Sequence, residues 1–364
     1  MRQRPRLTSA LLATVALVLC ASSFSIVDQS GASTTTTIVK HAHPYKIGSS
    51  ILALKLTRME MLTSRVGVGV APIVTYSGGL VRAYLVRTDD AGKTWTVTGI
   101  FPRGTYPWTT AFASPQEGYV VDSSGVLFTN NAGRTWTKVL TSYSPLTISL
   151  KGRIVWITVE NYCSTASTKH PCGTYLDSYK LGGLVPLRVS RLPSIQPSVS
   201  QVAPTQGYAG GSGNVAGTIY YTSNSGASWR SIATPCGRHH VSEGSVVLLS
   251  RLAIYCELGA LNSPGPTILY KSADEGATWQ LIPDVKTLGL NAASGSTGKF
   301  LWDFGENAVL SESSDGGLQW VMVPSVKYGT NDVIATYGAH DAWHVLTGKG
   351  IYRTLNGRTW QLLK

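Results

Sequence analysis

The chain has 364 residues, 31 Lys and Arg against 19 Asp and Glu, and a formal net charge of +12. Charged residues are few (14%), Gly (38), Trp (10) and Tyr (17) are abundant, and no stretch beyond the first two dozen residues keeps a helical period, which points to a β-protein. No basic run is interleaved with a nucleic-acid module, so no nucleic-acid partner is expected, and the surplus of positive charge favours acidic partners.

Residues 1–23 have the form of an export signal: Arg2, Arg4 and Arg6, the apolar run Leu11 to Cys20, then the small residues Ala21, Ser22 and Ser23. The run falls short of the roughly 18–20 residues a spanning helix needs, so a cleaved signal peptide is predicted, and with it a secreted or bacterial cell-envelope protein. Leu19 occupies the position before Cys20 where a lipobox has a small residue, which argues against lipid attachment. Residues 24–46, rich in Ser and Thr and carrying His41 and His43, read as a flexible linker with no metal site. Residues 47–364 read as one folded body.

Within that body the chain reads as short strands. Ile51–Thr57, Val68–Val74, Val81–Thr88 and Trp95–Gly99 form a first set of four, labelled A to D. Ala111–Ala113, Gly118–Val121, Val126–Phe128 and Trp136–Leu140 form a second. The third keeps Ile154–Val159, Thr174–Lys180 and Val185–Val189 around the turn Leu181-Gly182-Gly183-Leu184. Each C–D connection elsewhere carries one pattern, Ser/Thr-x-Asp/Asn-x-Gly-x-Thr/Ser-Trp. Its copies contain Asp90 and Trp95, Asn131 and Trp136, Asn224 and Trp229, and Asp274 and Trp279. Two weaker copies contain Asp315 and Trp320, and Asn356 and Trp360.

The pattern suits a tight turn: the Asp or Asn side chain accepts backbone N–H bonds, the glycine takes positive φ, and the Trp opens the next strand. The tryptophans of successive motif copies are 41, 93, 50, 41 and 40 residues apart, and a period near roughly 40–45 residues is that of a four-stranded propeller blade. The 93-residue interval then holds two blades, one without the motif, which makes seven.

These residues resemble the Asp-box, or BNR, repeat of sialidases, sortilin-like receptors and the photosystem II stability/assembly factor family. The predicted fold is therefore an all-β, seven-bladed β-propeller of four-stranded antiparallel blades with Asp-box turns between strands C and D. Strand alternation puts these turns on the face opposite the B–C and D–A loops, so their role is structural and any ligand belongs on the loop face.

Without Cys20 the cysteines are Cys163, Cys172, Cys236 and Cys256, an even number that in an exported chain favours disulfides. Their placement beside neighbouring loops gives the expected pairs Cys163–Cys172 and Cys236–Cys256; a zinc site from Cys163, Cys172 and His170 is the sharper alternative but matches no zinc spacing. The same loop face carries Lys169, His170, Arg238, His239 and His240, with Arg103, Tyr106 and Trp108 before the second blade and Lys327 and Tyr328 between the sixth and seventh. Mixed cations and aromatics suit an anionic ligand: a carboxylated sugar, a phosphate-bearing polymer or an acidic protein patch.

No Arg-Ile-Pro motif of sialidases and no Gly-x-Ser-x-Gly elbow occurs. Glycosidases need two facing carboxyl groups; Glu160, Glu243, Glu257 and Glu306 fall near the loop face, but no motif selects a pair. The resemblance to the assembly-factor family implies a non-catalytic platform that binds a protein partner at a membrane surface; a monomer without a cofactor is expected. A glycan-active enzyme is the alternative.

Overall fold

The computed structural model describes residues 45–74, 80–161, 172–193, 197–211, 217–235, 243–248, 252–257, 267–272, 274–282, 291–294, 300–304, 309–313, 321–323, 333–336, 343–347, 350–355 and 359–363. They form seven antiparallel sheets in chain order. The first contains β1 (Ser50–Ile51), β2 (Arg58–Met61), β3 (Gly67–Val74), β4 (Leu80–Thr88) and β5 (Trp95–Ile100), in the order β1-β5-β4-β3-β2. The second contains β6 (Thr109–Phe112), β7 (Gly118–Asp122), β8 (Gly125–Thr129) and β9 (Thr137–Val139). The third contains β10 (Ser144–Lys151), β11 (Ile154–Asn161), β12 (Gly173–Lys180) and β13 (Arg188–Arg191).

The fourth sheet contains β14 (Pro197–Gln201), β15 (Gly207–Gly211), β16 (Thr218–Thr222) and β17 (Arg230–Ala233). The fifth contains β18 (Glu243–Leu248), β19 (Leu252–Glu257), β20 (Thr267–Ser272) and β21 (Gln280–Ile282). The sixth contains β22 (Asn291–Ser294), β23 (Phe300–Phe304), β24 (Val309–Ser313) and β25 (Val321–Met322). The last contains β26 (Val333–Thr336), β27 (Trp343–Thr347), β28 (Gly350–Thr354) and β29 (Gln361–Leu363). From the second onward, strands pair in simple sequence order.

Two strand assignments differ from the sequence reading. Ile51–Thr57 is not the first A strand: Ser50–Ile51 pairs with Thr96 and Trp95 on the outer edge of β5, Ala53–Lys55 makes a 3-10 turn, and Arg58–Met61 is the inner strand. The apolar residues Ile51, Ala53 and Leu56 pack with Trp95, Ile351 and Leu363 of the first and last sheets, so they are buried without being the strand their alternation suggests. The last strand of the third sheet is Arg188–Arg191, starting three residues later than Val185, because the turn that begins at Leu181 runs on to Leu187.

Cores lie between successive sheets. One cluster joins Val70, Ala83 and Leu85 of the first sheet, and Phe101 just after it, to Phe112 and Val120 of the second. Another joins Tyr119, Val121 and Val126 to Val155, Ile157, Tyr175 and Tyr179 of the third. The inner strand β2 packs against both β6 and β26, bringing the last sheet back to the first.

The repeat turns seal these crevices at the rim. In each described copy the leading Thr or Ser hydroxyl accepts the glycine N–H, at 2.9 Å for Thr88 and Gly92, 2.9 Å for Thr129 and Gly133, 2.9 Å for Thr222 and Gly226 and 2.7 Å for Ser272 and Gly276. The Asp or Asn oxygen takes the N–H two residues after the glycine, as Asp90 does from Thr94 at 2.9 Å and Asn131 from Thr135 at 2.9 Å. The side-chain bond reverses with the residue: Thr94 donates to Asp90, whereas Asn131 donates to Thr135. The residue before each glycine also has positive φ: Ala91 (66°), Ala132 (60°), Ser225 (54°) and Glu275 (57°). Sequence reasoning gave that conformation to the glycine alone.

Each turn lands on the sheet before it. Gly133 closes on Gly99 so tightly that a Cβ on Gly99 would overlap the Gly133 carbonyl, and the Ile100 N–H donates to that carbonyl at 3.2 Å. Gly226 rests on Leu176 and Ser190 of the third sheet, and Gly92 on Ile351 and Leu363 of the last. Trp136 donates its indole N–H to Ile100 at 3.0 Å and stacks on Phe101 at 4.6 Å; Trp279 donates to Ala233 at 3.1 Å.

Candidate functional site

Strand alternation within each sheet puts the connections to the next sheet and the second-to-third strand loops on one face. The described part of that face centres on residues 101–108. Phe101 is buried and its N–H donates to Ala83, which anchors the connection; Gly104, at φ 80°, lets it reverse. Arg103 and Tyr106 stand exposed beyond it. Trp108 is half-buried: its indole N–H donates to Leu146 at 3.0 Å and it packs on the core between the second and third sheets. Its ring therefore supports the face as much as it lines it.

Arg58 belongs to this cluster and sequence reasoning missed it. It begins β2, its Nε donates to the Trp108 carbonyl at 2.6 Å, and its Nη1 donates to the Thr57 carbonyl at 2.7 Å. Burial lowers its pKa, partly opposed by nearby Tyr106. The available signal was alternation: Arg58 and Glu60 share one side of β2, while Met59 and Met61 are buried on the other.

Glu60 carries the next layer inward. Its carboxylate accepts the Phe112 N–H at 3.2 Å and the Thr110 hydroxyl at 3.2 Å, tying β2 to the inner edge of β6. Burial pushes its carboxyl up to about 7, opposed by those two bonds and by the charge of Lys151. Burial pulls the Lys151 ammonium, at the end of β10, down to about 8, with Glu60 opposing. The three inner strands thus hold a carboxyl raised and an ammonium lowered by burial, each partly restored by the other's charge.

Other buried ionisable groups hold the scaffold. Asp177 accepts from the Ser142 N–H and hydroxyl, both at 2.7 Å, and burial pushes its carboxyl up. Asp122 accepts from the Ser124 N–H at 2.7 Å. His344 is buried on β27; burial and then Arg353 push it down to about 4, opposed by the Ala91 backbone. Among the described residues no three His, Cys, Asp or Glu side chains group to hold a metal ion, and no helix is long and apolar enough to cross a membrane.

Of the ten residues expected to bind a ligand, Lys169, His170, Arg238, His239, His240, Lys327 and Tyr328 lie outside the described residues, as do Asp315, Trp320, Asn356, Cys163 and Cys236. Cys172 is exposed. Cys256 lies in β19, opposite Gly244 of β18.

No protein-family profile and no curated protein matches the chain. Solved structures do. The β-propeller domain of the trilobed protease from Pyrococcus furiosus, described as having an open velcro topology, aligns over 88% of this chain and 98% of its own, with a TM-score of 0.56 and 11% identity. An ancestral GH74 enzyme aligns over 88% of this chain with a TM-score of 0.59 and 13% identity; the match spans 47% of the enzyme, so this chain has about half its length. YCF48 from Cyanidioschyzon merolae aligns over 72% of this chain and 86% of its own at 19% identity, and its TM-score of 0.46 is too low to carry an inference.

The chain is a β-propeller. Its first sheet uses only strands β1 to β5 and its last only β26 to β29, so among the described residues no sheet of this propeller mixes strands from the two ends. Closure rests on packing: β2 against β26 inside, and the Gly92 turn against Ile351 and Leu363 at the rim.

Proposed function

We propose that this propeller is an exported, non-catalytic binding scaffold. In this reading the seven sheets are seven blades of one ring, the pinned turns are Asp boxes, and the face carrying Arg103 and Tyr106 takes an acidic protein patch or an anionic envelope polymer. The observation that carries it is Arg58, fixed by two carbonyls and close to Tyr106, under a connection that exposes Arg103 and Tyr106. The expected cystine pairs Cys163–Cys172 and Cys236–Cys256 belong to the same proposal, and would stiffen the loops that complete the face.

The test is binding of polyglutamate and of a carboxylated polysaccharide to the mature chain at several salt concentrations. Arg103→Glu with Tyr106→Ala should weaken binding about tenfold without moving the thermal midpoint. Unchanged binding in that variant would remove this face as the site. Mass spectrometry of non-reduced peptides from the exported protein checks the leader and both cystines.

A glycan-active enzyme remains the second reading, because Glu243 and Glu257 are register partners at the loop-face ends of β18 and β19, and Glu160 lies near the corresponding end of β11. Hydrolysis of a glycan panel that disappears in Glu243→Gln or Glu257→Gln would replace the scaffold reading with this one.

A further inference from the structure

The rim of the third sheet differs from the rims of the other sheets whose turns are described. The Leu140 N–H donates to the Leu184 carbonyl at 2.8 Å, as the Ile100 N–H donates to Gly133 across the crevice before it. Counted from these bonds, Leu184 corresponds to Gly133 and Leu187 to Trp136. Leu187 therefore stands where the other turns have their indole, and it is 67% exposed. Its neighbours Val185 (61%) and Val189 (46%) are exposed as well. The outer strands β9 and β17 instead expose Thr137, Lys138, Arg230 and Ser231.

Val189 and Arg191 pair with Asp177 and Tyr175, whose side chains face the second sheet, so Leu187, Val189 and Arg191 form an alternating row along that side of β13. Arg191 donates to the Cys172 carbonyl at 3.2 Å, and Arg188 is exposed on the other side. Asp177 is buried and already bonded, and Glu117, beside Gly182, is the carboxylate nearest the turn among the contacts seen there. The molecule already shows how such an edge is covered: on the first sheet the short strand β1 lies antiparallel along the outer edge of β5, and Trp95 is buried beneath that segment.

We infer that the outer edge of β13 is a docking site for an extended segment of another protein, bearing an aromatic or aliphatic residue over Leu187 and Val189 and, on its alternate residues, carboxylates toward Arg188. The segment adds to the sheet as β1 adds to β5, with its apolar side chain in the place of the missing indole. This site is on the rim and does not depend on the loop face described above.

The experiment uses fluorescence anisotropy with two labelled peptides, Glu-Trp-Glu-Val-Glu and Lys-Trp-Lys-Val-Lys, and the mature propeller. The acidic peptide should bind and the basic one should not. Leu187→Trp, which supplies the indole from within, and Val189→Lys should each weaken the acidic peptide at least about tenfold. Arg103→Glu should leave its binding unchanged, which separates failure here from failure of the loop-face reading. Absence of binding to the wild-type chain, or equal binding to Leu187→Trp, overturns the inference. Sedimentation that finds a wild-type dimer made monomeric by Val189→Lys overturns it too, by assigning the edge to a second copy. Circular dichroism and thermal midpoints of both variants establish that they fold.

Discussion

The crevice between the first and second sheets and the one between the second and third are closed by the same backbone contact made with different side chains. In the first, Thr129 and Asn131 pin the turn and Trp136 stacks on Phe101. In the second the pins are gone; the Tyr119 hydroxyl accepts the Gly182 N–H at 2.8 Å and donates to the Gly183 carbonyl at 3.2 Å, reaching over from the sheet on which the turn lands. The indole's partner is replaced as well, since the Leu140 carbonyl accepts the Tyr179 hydroxyl at 2.8 Å where the Ile100 carbonyl accepts Trp136. What the repeat preserves is a turn held at a fixed place against the preceding sheet, and among the described residues the motif is one of two ways of achieving it.

That comparison can be broken most severely at Gly99. An added methyl would overlap the Gly133 backbone, which has no rotamer by which to yield, whereas the matching residue of the next crevice, Val139, carries a buried side chain. Gly99→Ala should cost about 3 kcal/mol or prevent folding, measured by urea denaturation. A loss below about 0.5 kcal/mol would mean that the crevice is looser than described.

Trp136→Ala should cost about 2–3 kcal/mol, because the half-buried ring loses its stack and its hydrogen bond, while Leu187→Ala should change stability by less than about 0.5 kcal/mol. Equal losses would contradict the different burial of the two positions. Tyr119→Phe should cost about 1–2 kcal/mol by leaving the Gly182 N–H without its acceptor, and a neutral result would show that the turn of the third sheet stands without it.

The pins themselves differ in acid. Asp274 is held down to about 2 by bonds from Thr278 and Ser272; for Asp90, burial opposes the shift but bonds from Thr94 and Thr88 prevail and lower it. Such a group supplies stability that is fully present above the ordinary carboxyl value of 3.8 and is lost as pH falls toward about 2. Asp274→Asn, which copies the Asn131 turn, should shift the thermal midpoint little at pH 7 and lessen its fall between pH 4 and 2. An unchanged acid profile would mean that this carboxylate does not pin the turn.

Much of this was legible because turn chemistry is local. Thr88 to Trp95 states its own hydrogen bonds in sequence, and so do its copies. The positive φ of Ala91, Ala132, Ser225 and Glu275 was not legible, since residues of that kind take this conformation only when surrounding bonds impose it. The Ile51–Thr57 run misled because an apolar alternation reads alike whether it joins the inner or the outer edge of a sheet. Tyr119 gave no sign of its partners, which lie more than sixty residues along the chain. On the loop face, Arg103 and Tyr106 could be picked by type, but Arg58 and Glu60 draw their roles from carbonyls and amides of the next sheet.

The claim beneath these comparisons is that the last sheet meets the first through the same rim contact that joins its neighbours. Spin labels at Lys93→Cys and Gln361→Cys, measured by pulsed electron resonance beside a reference pair at Arg134→Cys and Thr96→Cys, test it most directly. Both pairs place one label on a turn and one on the strand of the preceding sheet beside which it lands, β29 or β5, and both should give a short, narrow distance distribution. A broad or long distribution for Lys93 and Gln361, with a narrow one for the reference pair, would show that the ring is open at this seam.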